Sequence, residues 1–394
     1  MKFFHISDLH FGKQLCGYDL SDEHHEFIEQ LVEYITCEKP DAILISGDIY
    51  DKSVPSAAAM TMLDELLLSV EGVAVLIIAG NHDSAERLKY GRHFLEKHDI
   101  FISVMPPKDA SEKLKKVTFK DEYGDINIYM LPFLKPGMVR HFMPDEAAEG
   151  EQAVIEKLIE QENIDYTNRN IIMSHQFYLP KKYNKGNGLS PAINQTLSSD
   201  KDRVLLQSTS SVGGTDAVSV SVLDGFDYAA LGHIHKAGAV GDERFRYCGS
   251  PIKLSVSEAE HNKGITCVEI GKKNDGIIIK TLPLKNKRDV RSIRGSIIDV
   301  IASSDINNRG DYVSITLTDD NIPEQVKEQL AAYYDNILEV AVDNKRTRQI
   351  LSEDIADFKE LTPYEAFAEF FKEVSGRALN EDEDKLIKEI ISEG

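Results

Sequence analysis

Short apolar runs separated by amphipathic or polar stretches set the pattern of the first 270 or so residues. Runs at 2–7 (KFFHIS), 42–46 (AILIS), 73–79 (VAVLIIA), 126–132 (INIYMLP), 170–174 (NIIMS) and 227–232 (DYAALG) have the length and composition of buried strands. Between them Phe27, Ile28, Leu31, Val32 and Ile35 recur at helical spacing and predict a helix over 21–36. A second helix is predicted over 55–69, with Pro55 near its first turn. Its apolar face is wider than one core contact needs, which leaves room for a partner surface. Strands alternating with helices predict an α/β domain.

The pattern breaks twice. Residues 176–215 lack periodicity and are rich in Gly, Asn, Ser and Lys, so they read as a functional or a disordered loop. After about 280 the composition shifts, and "KNKRDVRSIR" (285–294) carries five basic residues against Asp289. Strand-like 311–318, a helix at 323–334 and strand-like 337–342 then suggest a small βαβ-type module. Near the end, Thr362-Pro363-Tyr364-Glu365 and Asn380 with Glu383 are N-cap signals for two amphipathic helices. Those helices either pack on the chain's own core or dock on a partner's helices. The implied division is 1–280, 281–345 and 346–394, and 394 residues suit two or three domains.

Each apolar run empties into ligand-type residues. The strand ends carry Asp8-Leu9-His10, Gly47-Asp48, Gly80-Asn81-His82-Asp83, His175 and Gly232-His233-Ile234-His235. Any one of these is an ordinary turn, but five together are not, because strand C-terminal ends are where α/β sites assemble. In D-x-H and H-x-H the two outer residues face the same side of an extended chain. Seven ligands suit two ions sharing a bridge: Asp8, His10, Asp48 and His235 for the first, and Asp48, Asn81, His175 and His233 for the second. Imidazole, carboxylate and amide without thiolate favour Mn²⁺, Fe²⁺ or Zn²⁺. Such a pair, about 3.5–4 Å apart, polarises a phosphoryl group and generates a hydroxide nucleophile. His82 is then a candidate proton donor to the leaving oxygen, with Asp83 as its orienter. Ser84 is the expected cap of the helix that follows.

Three further features bound the function. Cys16, Cys37, Cys248 and Cys267 are far apart with no CxxC pair, which argues against a zinc knuckle or a disulfide framework. No uncharged apolar window approaches 18 residues, and His5 and Asp8 interrupt any signal-peptide core, so a cytosolic protein with no membrane span is expected. The formal charge of −21 is wrong for a stand-alone nucleic-acid binder, whose affinity rests on neutralising phosphates. Either the ligand is not nucleic acid, or a partner or local patch supplies positive surface.

These motifs in this order resemble the calcineurin-like metallophosphoesterase superfamily. "HISDLHFGK", "GDIYDKSVPS", "AGNHDS", "LGHIHKAG" and "YCGSPIKLS" narrow the resemblance to the SbcD-type nuclease subunits of the double-strand-break repair family, over residues 1 to about 260. The resemblance implies a four-layer αββα sandwich with a small α/β capping domain and C-terminal helices. It carries the dimetal ligands onto the seven residues above and the proton donor onto His82, with Mn²⁺ preferred. It implies a homodimer through helices at about 56–69 and 85–97, and a heterotetramer with an SbcC-type, SMC-like ATPase that receives residues 362–391. The implied activity is 3′→5′ exonuclease on double-stranded DNA and endonuclease on single strands and hairpins, with the chain cytoplasmic and on the nucleoid when bound to DNA. Asp51 stands where archaeal and eukaryotic relatives usually have histidine, so that histidine's role does not carry over. Tyr178, Lys181, Lys182, Tyr183 and Lys185 are candidates to stack bases and pair phosphates. A phosphatase or cyclic-nucleotide phosphodiesterase is the alternative with the same metal centre. A non-catalytic scaffold would lack ligands, and none is missing.

Overall fold

The computed structural model describes residues 1–181, 217–344, 363–375 and 377–380, with 383, 384, 386 and 387. These form two compact units, Met1–Ser292 with Asn307–Val313, and Ile293–Ile306 with Ser314–Gly394.

The first unit is built on two six-stranded sheets of similar plan. One is ordered Ile277–Pro283, Gly264–Ile270, Lys2–Ile6, Ala42–Ser46, Ala74–Ile78, Ile100–Ser103, and its last four strands are parallel. The other is ordered Gly238–Val240, Asp242–Tyr247, Tyr228–Leu231, Arg169–Ser174, Gly124–Leu131, Lys115–Asp121, with its middle four strands parallel. Side chains alternate between faces along a strand. Phe3, Ala42, Leu44, Leu76 and Ile78 of the first sheet therefore meet Ile126, Ile128, Met130, Ile171, Met173 and Ala230 of the second in one core. Tyr129, Leu131, Ile172 and Ala229, on the far face of the second sheet, pack with Val154, Ile155 and Leu158 of helix Glu151–Gln161. On the far face of the first sheet Ile43, Ile45, Val75 and Ile77 are equally buried. Helices Ser21–Glu38 and Ala57–Ser69, which connect its parallel strands, bury Phe27, Leu31, Met62 and Leu66. The order of layers is helix, sheet, sheet, helix.

The six predicted strands form, each within a residue or two of its expected ends. The runs that periodicity missed, among them Lys115–Asp121 and Ile277–Pro283, mix charged and apolar residues on partly exposed edge strands. The helix expected over 55–69 starts at Ala57, because Ser56 accepts a hydrogen bond from the Ala59 amide and so caps it, leaving Pro55 outside. The helix implied over 85–97 is broken into Ala85–Leu88, Arg92–Leu95 and a final turn, Glu96–His98. Gly91 at φ 73° separates the first two. Ser84 sits at the N-cap position, but its side chain makes no capping bond.

The second unit contains Asn336–Val342 and parts of Val290–Gly295 and Tyr312–Leu317, in one sheet with Tyr312–Leu317 central. It also holds helices Ile297–Ala302, Val326–Ala331 and Pro363–Ser375. Phe370 of the last helix is exposed. Asn380 and Glu383 form the expected reciprocal cap, with both side-chain-to-backbone bonds at 2.9 Å. Thr362, Ile390 and Ile391 lie outside the described residues.

Candidate metal centre

The parallel strands of both sheets end at one place. After Lys2–Ile6 and Ala42–Ser46 the chains stay paired, with the Asp8 amide donating to the Gly47 carbonyl and the His10 amide to the Asp48 carbonyl, both at 3.0 Å. The sheets are tied together beside them: Ser46 Oγ donates to the Ala230 carbonyl at 3.0 Å, and His175 Nδ1 to the Ser46 carbonyl at 2.7 Å. Close approach demands residues without Cβ. A Cβ on Gly232 would lie 1.9 Å from the Ser46 carbonyl oxygen, and one on Gly80 2.1 Å from Asp48 Oδ1.

Backbone strain concentrates at the same place. Asp8 (φ 54°), His10 (φ 46°), Asp48 (φ 50°) and His233 (φ 92°) all lie at positive φ. Each costs of order 1–3 kcal/mol and persists only where surrounding structure imposes it. Here the paired loop amides do so, and the Asp8 carboxylate accepts the His233 amide at 3.1 Å.

The side chains fall into three overlapping groups, one of them His10, Asp51 and His82. Asp8, His10 and His235 bring ligand atoms within 4.8 Å of one another, as do Asp8, Asp48 and His175. Asp48 Oδ2 lies between them, 3.5 Å from His10 Nε2 and 3.3 Å from His175 Nε2. The Asn81 amide oxygen is 3.2 Å from His175 Nε2 and 3.0 Å from His233 Nδ1. His235 Nε2 is 3.9 Å from Asp8 Oδ1. All seven predicted ligands are therefore together.

Their electrostatics follow from burial beside charge. Burial opposes a charge on His175, but the Asp48 carboxylate overrides it and holds the imidazole up at about 9. His233, buried with His175 beside it, is pushed down to about 4. The neighbouring imidazoles hold Asp48 well below the usual carboxylate range despite its burial.

This donor set fits a pair of divalent cations. Both ring nitrogens of His10 are buried with no hydrogen-bond partner, an expensive arrangement unless a cation takes the lone pair. His175 gives its Nδ1 proton to a carbonyl and turns Nε2 inward, the orientation a ligand requires.

Asp83 does not orient His82 as expected: its carboxylate is taken up by main-chain amides. The Asp83 carboxylate accepts the amides of Ile49 (3.1 Å), Tyr50 (3.0 Å) and Gly80 (2.9 Å), and so fastens two ligand loops together. Burial and the Asp48 charge push it up to about 6. His82 is held instead by the Asp51 carbonyl, 2.8 Å from Nδ1, and its ring lies against His10 with centroids 4.8 Å apart. A main-chain acceptor does the orienting, which sequence does not show.

Of the proposed DNA contacts, Lys181 is paired with Asp224 at 2.8 Å. Lys182, Tyr183 and Lys185 lie outside the described residues. Tyr178 is fully buried with its hydroxyl 2.8 Å from Ser174 Oγ, so it stacks no base. In the basic stretch, Arg288 pairs with Glu23 and Asp22, and Arg291 with Asp311. Asp51, which the sequence marks as a departure from relatives, has its carboxylate 3.6 Å from His10 Nδ1 and 3.0 Å from Lys13 Nζ, and the residue that motif reading missed is Glu258, 3.1 Å from His235 Nδ1.

Residues 1–237 match the sequence profile of the calcineurin-like phosphoesterases, more than half of the chain. The chain belongs to that family. Calcineurin-like phosphoesterases are hydrolases of phosphoester bonds built on dimetal centres, and this one has the mixed α/β fold with parallel sheets of its family. Residues 286–375 match a second profile, SbcD_C, described as the type 5 capsule protein repressor C-terminal domain; the two matches are consistent with an SbcD nuclease. Solved structures similar to this phosphoesterase include GAP50, the anchor in the inner membrane complex of Plasmodium, at 13% identity and TM-score 0.41, covering 74% of this chain and 87% of that one. A dimetal phosphatase from Danio rerio is similar at 12% identity and TM-score 0.36, covering 73% and 97%. Among the described residues, no helix is long and apolar enough to cross a membrane.

Proposed function

We propose that this phosphoesterase is a metal-dependent DNA nuclease of the SbcD type. It would act as a 3′→5′ exonuclease on double strands and an endonuclease on single strands and hairpins. The observation that carries the reading is the joint occurrence of the calcineurin-like match and the SbcD_C match on one chain. The finer proposals are two Mn²⁺ ions, a homodimer, an SMC-like ATPase partner, a cytoplasmic location, and the division 1–280, 281–345 and 346–394. Exposed Met60, Leu68, Tyr90 and Phe94 on or beside the implied dimer helices support the homodimer.

In this reading Asp8, His10, Asp48 and His235 hold one ion, and Asp48, Asn81, His175 and His233 the other. When bound, the ions supply charge stabilisation at the phosphoryl oxygens and an activated water nucleophile. The chain's own contribution at the leaving oxygen is His82. The Asp51 carbonyl retains the Nδ1 proton, so the proton that His82 exchanges is the one on Nε2.

The −21 charge and the ion-paired state of Lys181, Arg288 and Arg291 favour a second reading, a phosphatase or cyclic-nucleotide phosphodiesterase. Purified protein with Mn²⁺ on a labelled DNA hairpin and, in parallel, on p-nitrophenyl phosphate separates them. Hairpin cleavage is the expected result, with weak, strongly salt-dependent DNA binding by the isolated chain. Cleavage of the monoester alone would make it a phosphatase.

A further inference from the structure

The motif YCGSPIKLS and the residues just after it have been given no role so far, yet Glu258 among them lies against one of the imidazoles. We propose that Glu258 is a positioning residue for His235, and that Ser250 and Lys263 serve to hold Glu258 in place. The inference rests on the reading of His235 as a metal ligand.

The geometry has a front and a back. His235 turns Nε2 toward Asp8 Oδ1, 3.9 Å away, and Nδ1 toward Glu258 Oε1, 3.1 Å away. A neutral imidazole has one N–H, and a carboxylate at Nδ1 keeps the proton there and leaves Nε2 bare for a cation. The other members of the cluster differ: His175 has the Ser46 carbonyl, whereas the carboxylate nearest His10 Nδ1, that of Asp51, stands off at 3.6 Å. His235 alone of these three relies on a fully buried carboxylate.

A buried carboxylate needs its own partners. Lys263 Nζ lies 2.5 Å from Glu258 Oε2, and Ser250 Oγ 3.1 Å from the same oxygen. Ser255 Oγ donates to Oε1 at 3.1 Å. Lys263 also reaches Ser250 Oγ at 2.7 Å and the main-chain carbonyl of His235 itself at 3.1 Å. The Ser250 amide donates to that carbonyl at 3.2 Å. Lys263 and Glu258 thus grip His235 at its carbonyl and at its ring, which fixes both the backbone and the tautomer. Burial pushes the Glu258 carboxyl up, but the His235 imidazole and the Lys263 ammonium beside it hold it well below its usual range.

Titration of the full chain with Mn²⁺ by calorimetry tests this. Glu258→Ala should weaken one of two Mn²⁺ equivalents about 10- to 100-fold and leave the other unchanged. Glu258→Gln, which keeps an acceptor oxygen, should lose less. In a His235→Ala background, Glu258→Ala should produce no further loss. Should Glu258→Ala fail to fold, Glu258→Leu with Lys263→Met removes both buried charges and carries the same expectation. Folded Glu258 variants that bind both equivalents as the wild type does would overturn the proposal, as would an equal loss in the His235→Ala background. Wild-type protein that binds no Mn²⁺ overturns the metal-site reading and this inference together.

Discussion

The two six-stranded sheets share a plan but give the site different things. The first supplies both carboxylates and the amide, Asp8, Asp48 and Asn81, along with His10. The second supplies imidazole alone, His175, His233 and His235. Three of the four strained residues, Asp8, His10 and Asp48, also sit on the first sheet. The difference shows why neither sheet is a site by itself. Oxygen ligands bunched on one edge repel one another, and imidazoles on the other have nothing to neutralise. Only where the sheets converge at Ser46, Gly80 and Gly232 does each proposed ion position draw on both.

The largest effects should come from breaking that division. Asp48→Ala removes the carboxylate between His10 and His175, and phosphodiester hydrolysis should fall to background with loss of tight Mn²⁺ binding. His175→Ala, on the other sheet, should match it, and retention of both Mn²⁺ equivalents in His175→Ala would mean that the first sheet suffices. Next in size, His82→Ala should bind both ions yet lose about 10²- to 10⁴-fold in kcat. Full retained activity would remove His82 from the chemistry.

Asp83 sharpens the contrast from the side of stability. Its carboxylate satisfies three loop amides, so Asp83→Ala should cost about 2 kcal/mol or more in urea unfolding. The pH profile of the remaining activity should not move, because the Asp51 carbonyl, not Asp83, holds His82. Gly232→Ala should destabilise by about 1–3 kcal/mol, since its methyl group meets the Ser46 carbonyl and pries the sheets apart.

The smallest effect is a pH slope from a histidine that is not itself a proposed ligand. Burial pushes His24 down to about 4, and its ring nitrogens face the carbonyls of Leu9 and Leu20. The unfolded chain binds that proton more readily, so this contribution is complete above the unfolded value near 6.5 and is lost as pH falls toward 4. His24→Gln should remove that part of the slope in metal-free protein. An unchanged difference in stability between pH 7 and 5 would show that His24 is not its source.

Much of this was legible in the order of residues. The strand runs were visible because buried parallel strands are apolar on both faces, and the ligands were visible because they interrupt those runs at their C-terminal ends. Edge strands such as Lys115–Asp121 were not, since half-exposed strands carry charge. Residue order sets which residues stand at the strand ends, and hence the family and the kind of ligand set. Tertiary structure alone decided what orients them. Asp83 proved to be a loop fastener, a main-chain carbonyl holds His82, and Glu258 reaches His235 from 23 residues away. Such partners are set by how loops fold back across the sheet ends. A carbonyl has no letter of its own, and a contact between distant loops leaves no spacing to recognise.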